Sequence, residues 1–337
     1  MGGNMQVNHR SRWLFATATA IALTVAILPG AAHASTTHAS AATFVDPDEQ
    51  YAAFLAEKKA DGSWAGSADP GAKAKAPATD LAAYPKLTDQ QLAAMRASAT
   101  AAAPVGAAEP VTVQSVQVTP TGISVTTYDP APGFTPEKLA DKLRAQGKTS
   151  VRVVRPEPTD GISAMAASDC AYGSARSWSC PVSYWRNQGW EDPYVRFNDH
   201  SGSSWPVSSV VPKWNTVKNI DSEYRWNSCP TVSGSRCVDV FSGNYGAGWT
   251  GLTTLFYASG SPGAFSNTGA KVQLNDYYDS AAIGGTRNNT TTHELGHALG
   301  LGHNTYSNDV MYYAVNKRED LGGENPVLLA SIYSVTR

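Results

Sequence analysis

Two runs of alternating apolar and polar residues, Val111 to Val118 and Ile123 to Tyr128, flank the turn Thr119-Pro120-Thr121-Gly122 and predict paired strands. The period then lengthens. Thr135 is placed to cap a helix with Pro136 in its first turn, Leu139 and Leu143 on one face and Gly147 as its stop, and Val151 to Val154 reads as a further strand. Later in the chain, strands are predicted at Tyr194 to Phe197, Tyr224 to Trp226, Cys237 to Phe241, Leu252 to Tyr257 and Lys271 to Leu274, with a helix around Val207 to Val217. Asn325-Pro326 followed by Leu328, Leu329, Ile332 and Tyr333 predicts a C-terminal helix. The fold class expected for the chain is α+β.

Composition divides the chain. Residues 1–34 carry His9, Arg10 and Arg12, an apolar stretch from Trp13 to Leu28 and the small-residue exit Ala32-His33-Ala34, the pattern of a cleaved secretory signal peptide. Residues 35–107 are Ala-rich and poor in large apolar side chains, too few to bury much core, although Thr88-Asp89-Gln90-Gln91 forms a capping-box start to one helix. Residues 108–156 form a compact α/β unit without cysteine, read together with the preceding stretch as a propeptide, 35–167. Ser163 to Ala167 is the candidate boundary, and residues 168–337, rich in Trp, Tyr, Gly and Ser, are the expected catalytic domain. A permanent accessory domain is the alternative reading of the first unit.

A net charge of −2 with no broad basic face argues against nucleic acid or anionic membrane surfaces as partners. No stretch after the leader is long and apolar enough to cross a membrane, so a secreted, extracellular monomer is expected. In that oxidising setting Cys170, Cys180, Cys229 and Cys237 are expected in two disulfides. Of three connectivities, Cys170 with Cys180 and Cys229 with Cys237 close the shortest loops.

The chemistry is concentrated in Thr292-His293-Glu294-Leu295-Gly296-His297-Ala298-Leu299-Gly300-Leu301-Gly302-His303. On a helix His293 and His297 share a face, and Glu294 lies beside whatever ion they hold. His303 can join them only if the helix ends and the chain turns back, which Gly300 permits by taking a left-handed conformation. Three neutral imidazoles leave one tetrahedral position of zinc open, the arrangement of a catalytic site. Chance produces this pattern in a chain of such composition roughly once in 10⁵, so the motif carries weight. His200, outside it, reads as a structural or surface residue.

With these residues the chain resembles the metzincin clan of zinc endopeptidases, which includes matrixin-, astacin- and snapalysin-like branches. The resemblance implies a twisted mixed sheet, an active-site helix, a C-terminal helix and a methionine turn beneath the metal, here Asn308-Asp309-Val310-Met311-Tyr312-Tyr313 with Met311 as structural support. It further implies that Tyr313 approaches the metal and helps stabilise the transition state, that residues from Tyr312 to Val315 line the specificity pocket, and that Gly269 to Asn275 is the edge strand above the cleft. Asn304 is not the residue that follows the third histidine in the matrixin, adamalysin, astacin or serralysin branches, and snapalysin-like members typically carry aspartate where His303 stands. Matrixin-type latency through a cysteine has no counterpart here, so another group, such as Asp46 or Asp48, is needed.

The function expected is hydrolysis of peptide bonds in proteins or peptides by a zinc-activated water, with Glu294 as general base. A zinc amidase acting on non-protein amides and a zinc-binding module without turnover are the alternatives. Calcium at Asp276 and Asp279, or at Asp192 and Asp199, is a further expectation, though none of these has an ordered ligand spacing.

Overall fold

The computed structural model describes residues 84–100, 110–119, 122–155, 170–179, 182–187, 189–229, 236–258, 264–278 and 286–334. The signal segment, Asp46, Asp48, Cys180, Asp279 and the candidate boundary at Ser163 to Ala167 lie outside them. An eight-stranded sheet dominates, in the order β3 (Val151–Val154), β1 (Thr112–Thr119), β2 (Gly122–Pro130), β9 (Trp249–Ala258), β10 (Phe265–Asn275), β8 (Arg236–Gly243), β6 (Tyr194–Asp199) and β7 (Asp221–Trp226). Contacts from β3 to β10 are antiparallel; β10, β8, β6 and β7 run parallel. The sheet therefore runs unbroken from the N-terminal unit into the rest of the chain.

Helix α2 (Pro136–Ala145) starts at Thr135, whose hydroxyl accepts from the Lys138 amide, and stops at Gly147, held at φ 83°. Its buried Leu139, Ala140 and Leu143 form a second core with Val113, Tyr128 and Val151, completed by Tyr245, Trp249 and Leu252 from the other part of the chain. Helix α1 (Asp89–Thr100) begins in the expected capping box, Thr88 and Gln91 bonding each other's backbone amides. Leu92 of this helix is buried in the main core, so the Ala-rich region contributes one anchor to it.

That main core carries the aromatic surplus: Trp185, Trp205 and Trp214 are fully buried, and each indole N–H finds a partner, as buried tryptophans require. Helix α3 (Val207–Asn215) packs on β6 and β7 and against α4 (Arg287–Ala298), which lies over β9 and β10. A small sheet of β4 (Ala171–Tyr172), β5 (Ala175–Ser177) and β11 (Leu301–Gly302) joins the start of the C-terminal part to the residues after α4. Helix α5 (Asn325–Ile332) closes the fold. At its start the Glu324 carboxylate accepts from the Ser174 amide and hydroxyl and the Ala175 amide, which fixes the β4–β5 hairpin.

One sequence expectation is corrected. Gly269 to Asn275 lies in β10, which is bonded on one side to β8 and on the other to β9, so it is interior and cannot take up another strand. The edge that faces the N-terminal unit belongs to β9, and β2 covers it from Gly122↔Ala258 to Pro130↔Trp249. The apolar alternation of both strands looks alike in sequence, and only the pairing order separates them.

Candidate metal centre

Helix α4 is polar in sequence yet buried from Asn289 to Ala298, which requires its groups to be satisfied internally. Thr286 caps it by accepting from the Asn289 amide at 3.0 Å, and the Thr291 and Thr292 hydroxyls donate to the carbonyls four residues back. Trp214 donates to the Thr292 carbonyl and Trp185 to that of Ala298, so buried indoles pin the helix on either side of the motif. After Leu299 the chain turns at Gly300, with φ 109°, where a side chain would also meet the Ser183 carbonyl at 2.8 Å. Leu301 and Gly302 then pair with β5, and His303 is carried back over the helix.

Three imidazoles converge as a result. The Nδ1–H of His293 donates to the Val310 carbonyl at 2.6 Å and that of His297 to the Leu301 carbonyl at 2.8 Å, while Nδ1 of His303 meets the Thr112 hydroxyl at 3.0 Å. Backbone acceptors on Nδ1 hold His293 and His297 in the tautomer whose Nε2 lone pair faces inward. His293 Nε2 and His303 Nε2 stand 3.1 Å apart, close to the edge of about 3.3 Å expected for a tetrahedral zinc site with nitrogen donors. His297 Nε2 is buried without a hydrogen-bond partner. An unpartnered inward nitrogen and two facing ones make poor protein chemistry and a good cation site, so the donor set fits the metal the motif implies.

The fourth donor was not anticipated. Asp129, from β2, places Oδ2 3.0 Å from His293 Nε2 and Oδ1 2.9 Å from His303 Nε2, with His297 Nε2 at 4.0 Å. The four ligand atoms lie within 4.8 Å of one another, and this is the one such group among the described residues. Burial alone would raise the Asp129 carboxyl, but the His293 and His303 imidazoles hold it well below the usual carboxylate range. Burial depresses His293, yet the carboxylate beside it outweighs that effect and leaves the ring above its ordinary value. Burial keeps His297 well below its ordinary value and His303 below it, which keeps both available as neutral ligands.

Glu294 is buried beside the cluster, and its oxygen Oε2 accepts from the Thr253 hydroxyl at 2.5 Å. Burial first, and then the charge of Asp129, push its carboxyl well above the ordinary value. Gly251, two residues before Thr253 on β9, lies so close that a Cβ there would fall 2.7 Å from Glu294 Cγ and 2.8 Å from Cδ.

Met311 is fully buried under the helix, and a Cβ on Gly296 would meet its sulfur at 2.6 Å and Trp214 at 2.9 Å. The turn that carries it is organised by buried Asp309. That carboxylate accepts from the Met311 amide at 2.7 Å, from the Asn304 side chain at 2.8 Å and from the Asn325 side chain at 2.9 and 3.0 Å. Asn304 thus ties the residue after the third histidine to the methionine turn, and its amide and carbonyl bond Met311 and Tyr313 in the backbone.

A small pocket beside His293 and Asp129 is lined by Thr250, Asn289, Thr290, Tyr312, Ala314 and Val315, so three of the four expected wall residues are there. Tyr313 stands outside that lining with its ring 4.6 Å from Tyr312, and the hydrogen bond between them helps push the Tyr312 hydroxyl up to about 12. His200 is structural: it is bonded to Asn227 and Asp239 and stacked on Phe241. Cys229 is bridged to Cys237, and Cys170 is disulfide-bonded too. Asp199 is engaged by Ser201 and Tyr224, and Asp276 accepts from the Trp205 indole. Neither joins a cluster of metal-ligating groups among the described residues, so calcium at these aspartates finds no support.

Residues 255–324 match the matrixin family of peptidases, a stretch that holds the end of β9, all of β10 and α4, the three histidines, Glu294 and Met311. The likeness is to zinc metallopeptidases of the metzincin type. No curated protein matches the chain.

Proposed function

We propose that this chain is the precursor of a secreted zinc endopeptidase, with residues 35–167 as propeptide and 168–337 as the catalytic part. The observation that carries the reading is the convergence of the His293, His297 and His303 Nε2 atoms beside a buried carboxyl, Glu294. A zinc ion held by these three histidines would supply Lewis acidity, lowering the pKa of an adjacent water and polarising the scissile carbonyl.

The protein's own groups do the rest. Glu294, kept in place by Thr253 and raised in pKa by burial, takes a proton from the attacking water and delivers it to the leaving amine. The backbone acceptors at Val310 and Leu301 orient His293 and His297. Met311 and Asp309 support the floor of the site, and Tyr313 is assigned to the oxyanion. Tyr312, Ala314 and Val315 offer a wall for the side chain beyond the cut bond. The four cysteines, paired as Cys170 with Cys180 and Cys229 with Cys237, suit an extracellular setting, and no described helix is long and apolar enough to cross a membrane.

Hydrolysis of a denatured protein mixture tests this reading, measured on the activated chain beside Glu294→Gln and a chelator-treated sample. Cleavage abolished in both controls, with metal retained in Glu294→Gln, is the expected result. A chain that holds zinc and cuts no peptide bond would leave the amidase or binding-module readings.

A further inference from the structure

We propose that the pocket beside His293 selects a small hydroxyl-bearing side chain, serine first, on the leaving-amine side of the cut bond, and that the hydroxyls of Thr250 and Thr290 make the selection. This rests on the zinc-endopeptidase reading above.

Three threonines follow one another on α4, and they do not behave alike. The hydroxyls of Thr291 and Thr292 are satisfied within the helix, each donating at 2.7 Å to the carbonyl four residues back. Thr290 lies three residues before His293 and so shares its face of the helix. Its side chain lines the pocket, the residue is only 2 % exposed, and its Oγ1 has no hydrogen-bond partner. Thr250 of β9 lines the same pocket, is only 1 % exposed, and its Oγ1 has none either. Thr250 falls in an irregular stretch of ladder, since Tyr128 faces Leu252 and Pro130 faces Trp249, and such a bulge turns a side chain towards a site. Buried hydroxyls are normally paired, so two unpaired ones in one small lining point to a ligand that supplies the partner.

The walls define that ligand. The cavity holds about 10 Å³, room for one water-sized group. Its far side does not give way easily, because the Asn289 side chain donates to Asn316 Oδ1 at 2.9 Å and to the Arg318 carbonyl at 2.5 Å, and Asn316 donates to the Asp309 carbonyl at 2.6 Å. Asn289 is thereby spent on holding the wall, which leaves recognition to the two threonines. A serine hydroxymethyl group can accept from one hydroxyl and donate to the other. An apolar group of the same size leaves both buried and unpaired. The charged groups of the lining, Asp129 and His293, face each other at 3.0 Å, so a charged side chain would lose its hydration without a free counter-ion.

The test is a peptide series in which only the residue after the cut bond changes, among serine, α-aminobutyrate, alanine, leucine and aspartate, read as kcat/KM of the activated chain. α-Aminobutyrate replaces the serine hydroxyl by methyl. Serine should be preferred to it by about tenfold or more. The double variant Thr250→Val with Thr290→Val should bring that ratio towards one. Thr250→Ser and Thr290→Ser keep the hydroxyl and should keep the preference, as should Thr291→Val, whose hydroxyl is bonded to the Arg287 carbonyl. Thermal unfolding of the full chain supplies a readout that needs neither metal nor substrate. Each valine variant should match or exceed the wild-type midpoint, because an unpaired buried hydroxyl is unfavourable to folding. A lowered midpoint in both would make the hydroxyls structural and overturn the proposal. Equal kcat/KM for serine and α-aminobutyrate in wild type would overturn the selection and leave the peptidase reading standing, whereas a chain that cleaves no member of the series would overturn both.

Discussion

Gly251 and Glu294 give the sharpest test of the proposed catalytic geometry. In Gly251→Ala the new methyl would stand 2.7 Å from Glu294 Cγ and 2.8 Å from Cδ, whereas ordinary contact begins at 3.4 Å. The strand cannot yield, because β9 is bonded on both sides, so the carboxyl must move. Its retreat also breaks the 2.5 Å bond to Thr253. Displacement of a catalytic group by about 1 Å costs roughly 10²-fold in rate, or about 2.7 kcal/mol of transition-state stabilisation. The assay is kcat and KM of the activated chain for a peptide substrate, with zinc content measured alongside. A fall of about 10²-fold in kcat with KM and zinc content unchanged is expected. Activity within twofold of the unsubstituted chain would refute the placement of Glu294 as the base against β9.

Other perturbations separate support from chemistry. Asp309→Ala should lower stability by about 2–4 kcal/mol in thermal or denaturant unfolding, because it strands the Asn304 and Asn325 amides and the Met311 N–H in a buried setting. Met311→Leu should cost less than about 1.5 kcal/mol and keep zinc, whereas Met311→Ala should cost about 2–5 kcal/mol by opening a cavity under Gly296. Replacing both Cys229 and Cys237 by serine, whose bridge closes a loop of sequence separation 8, should lower stability by about 2.6 kcal/mol, read as a shift in denaturant midpoint. Zinc at a hundredfold excess over its dissociation constant should stabilise the chelated chain by about 2.7 kcal/mol, and His297→Ala should abolish that gain.

Most elements were legible because their signals are local. The Thr135 cap with Gly147 as stop, the Thr88–Gln91 capping box and the turn at Gly300 are all set by a few neighbouring residues, and each stands where expected. The three histidines were legible for the same reason, since a helical face and one permissive glycine bring them together. Asp129, Thr253 and Asp309 were not. Asp129 sits at the end of an alternating run before Pro130 and reads as a turn residue; its role depends on β2 choosing β9 as neighbour, and no local pattern encodes that pairing. Thr253 looks like any β-branched strand residue until β9 is laid beneath α4. Asp309 differs from an exposed loop aspartate only because Asn304 and Asn325, from two other segments, fold onto it. The misplaced edge strand has the same origin, since β9 and β10 alternate alike and their order in the sheet is a long-range property.

The most direct measurement of the central claim is the zinc content of the purified chain and of its single variants, paired with peptide hydrolysis by the activated forms. One zinc per chain, lost in His293→Ala, His297→Ala and His303→Ala but kept in Glu294→Gln, with hydrolysis absent from all four, is the result this account predicts. Full zinc in the histidine variants, or undiminished hydrolysis in Glu294→Gln, would contradict it.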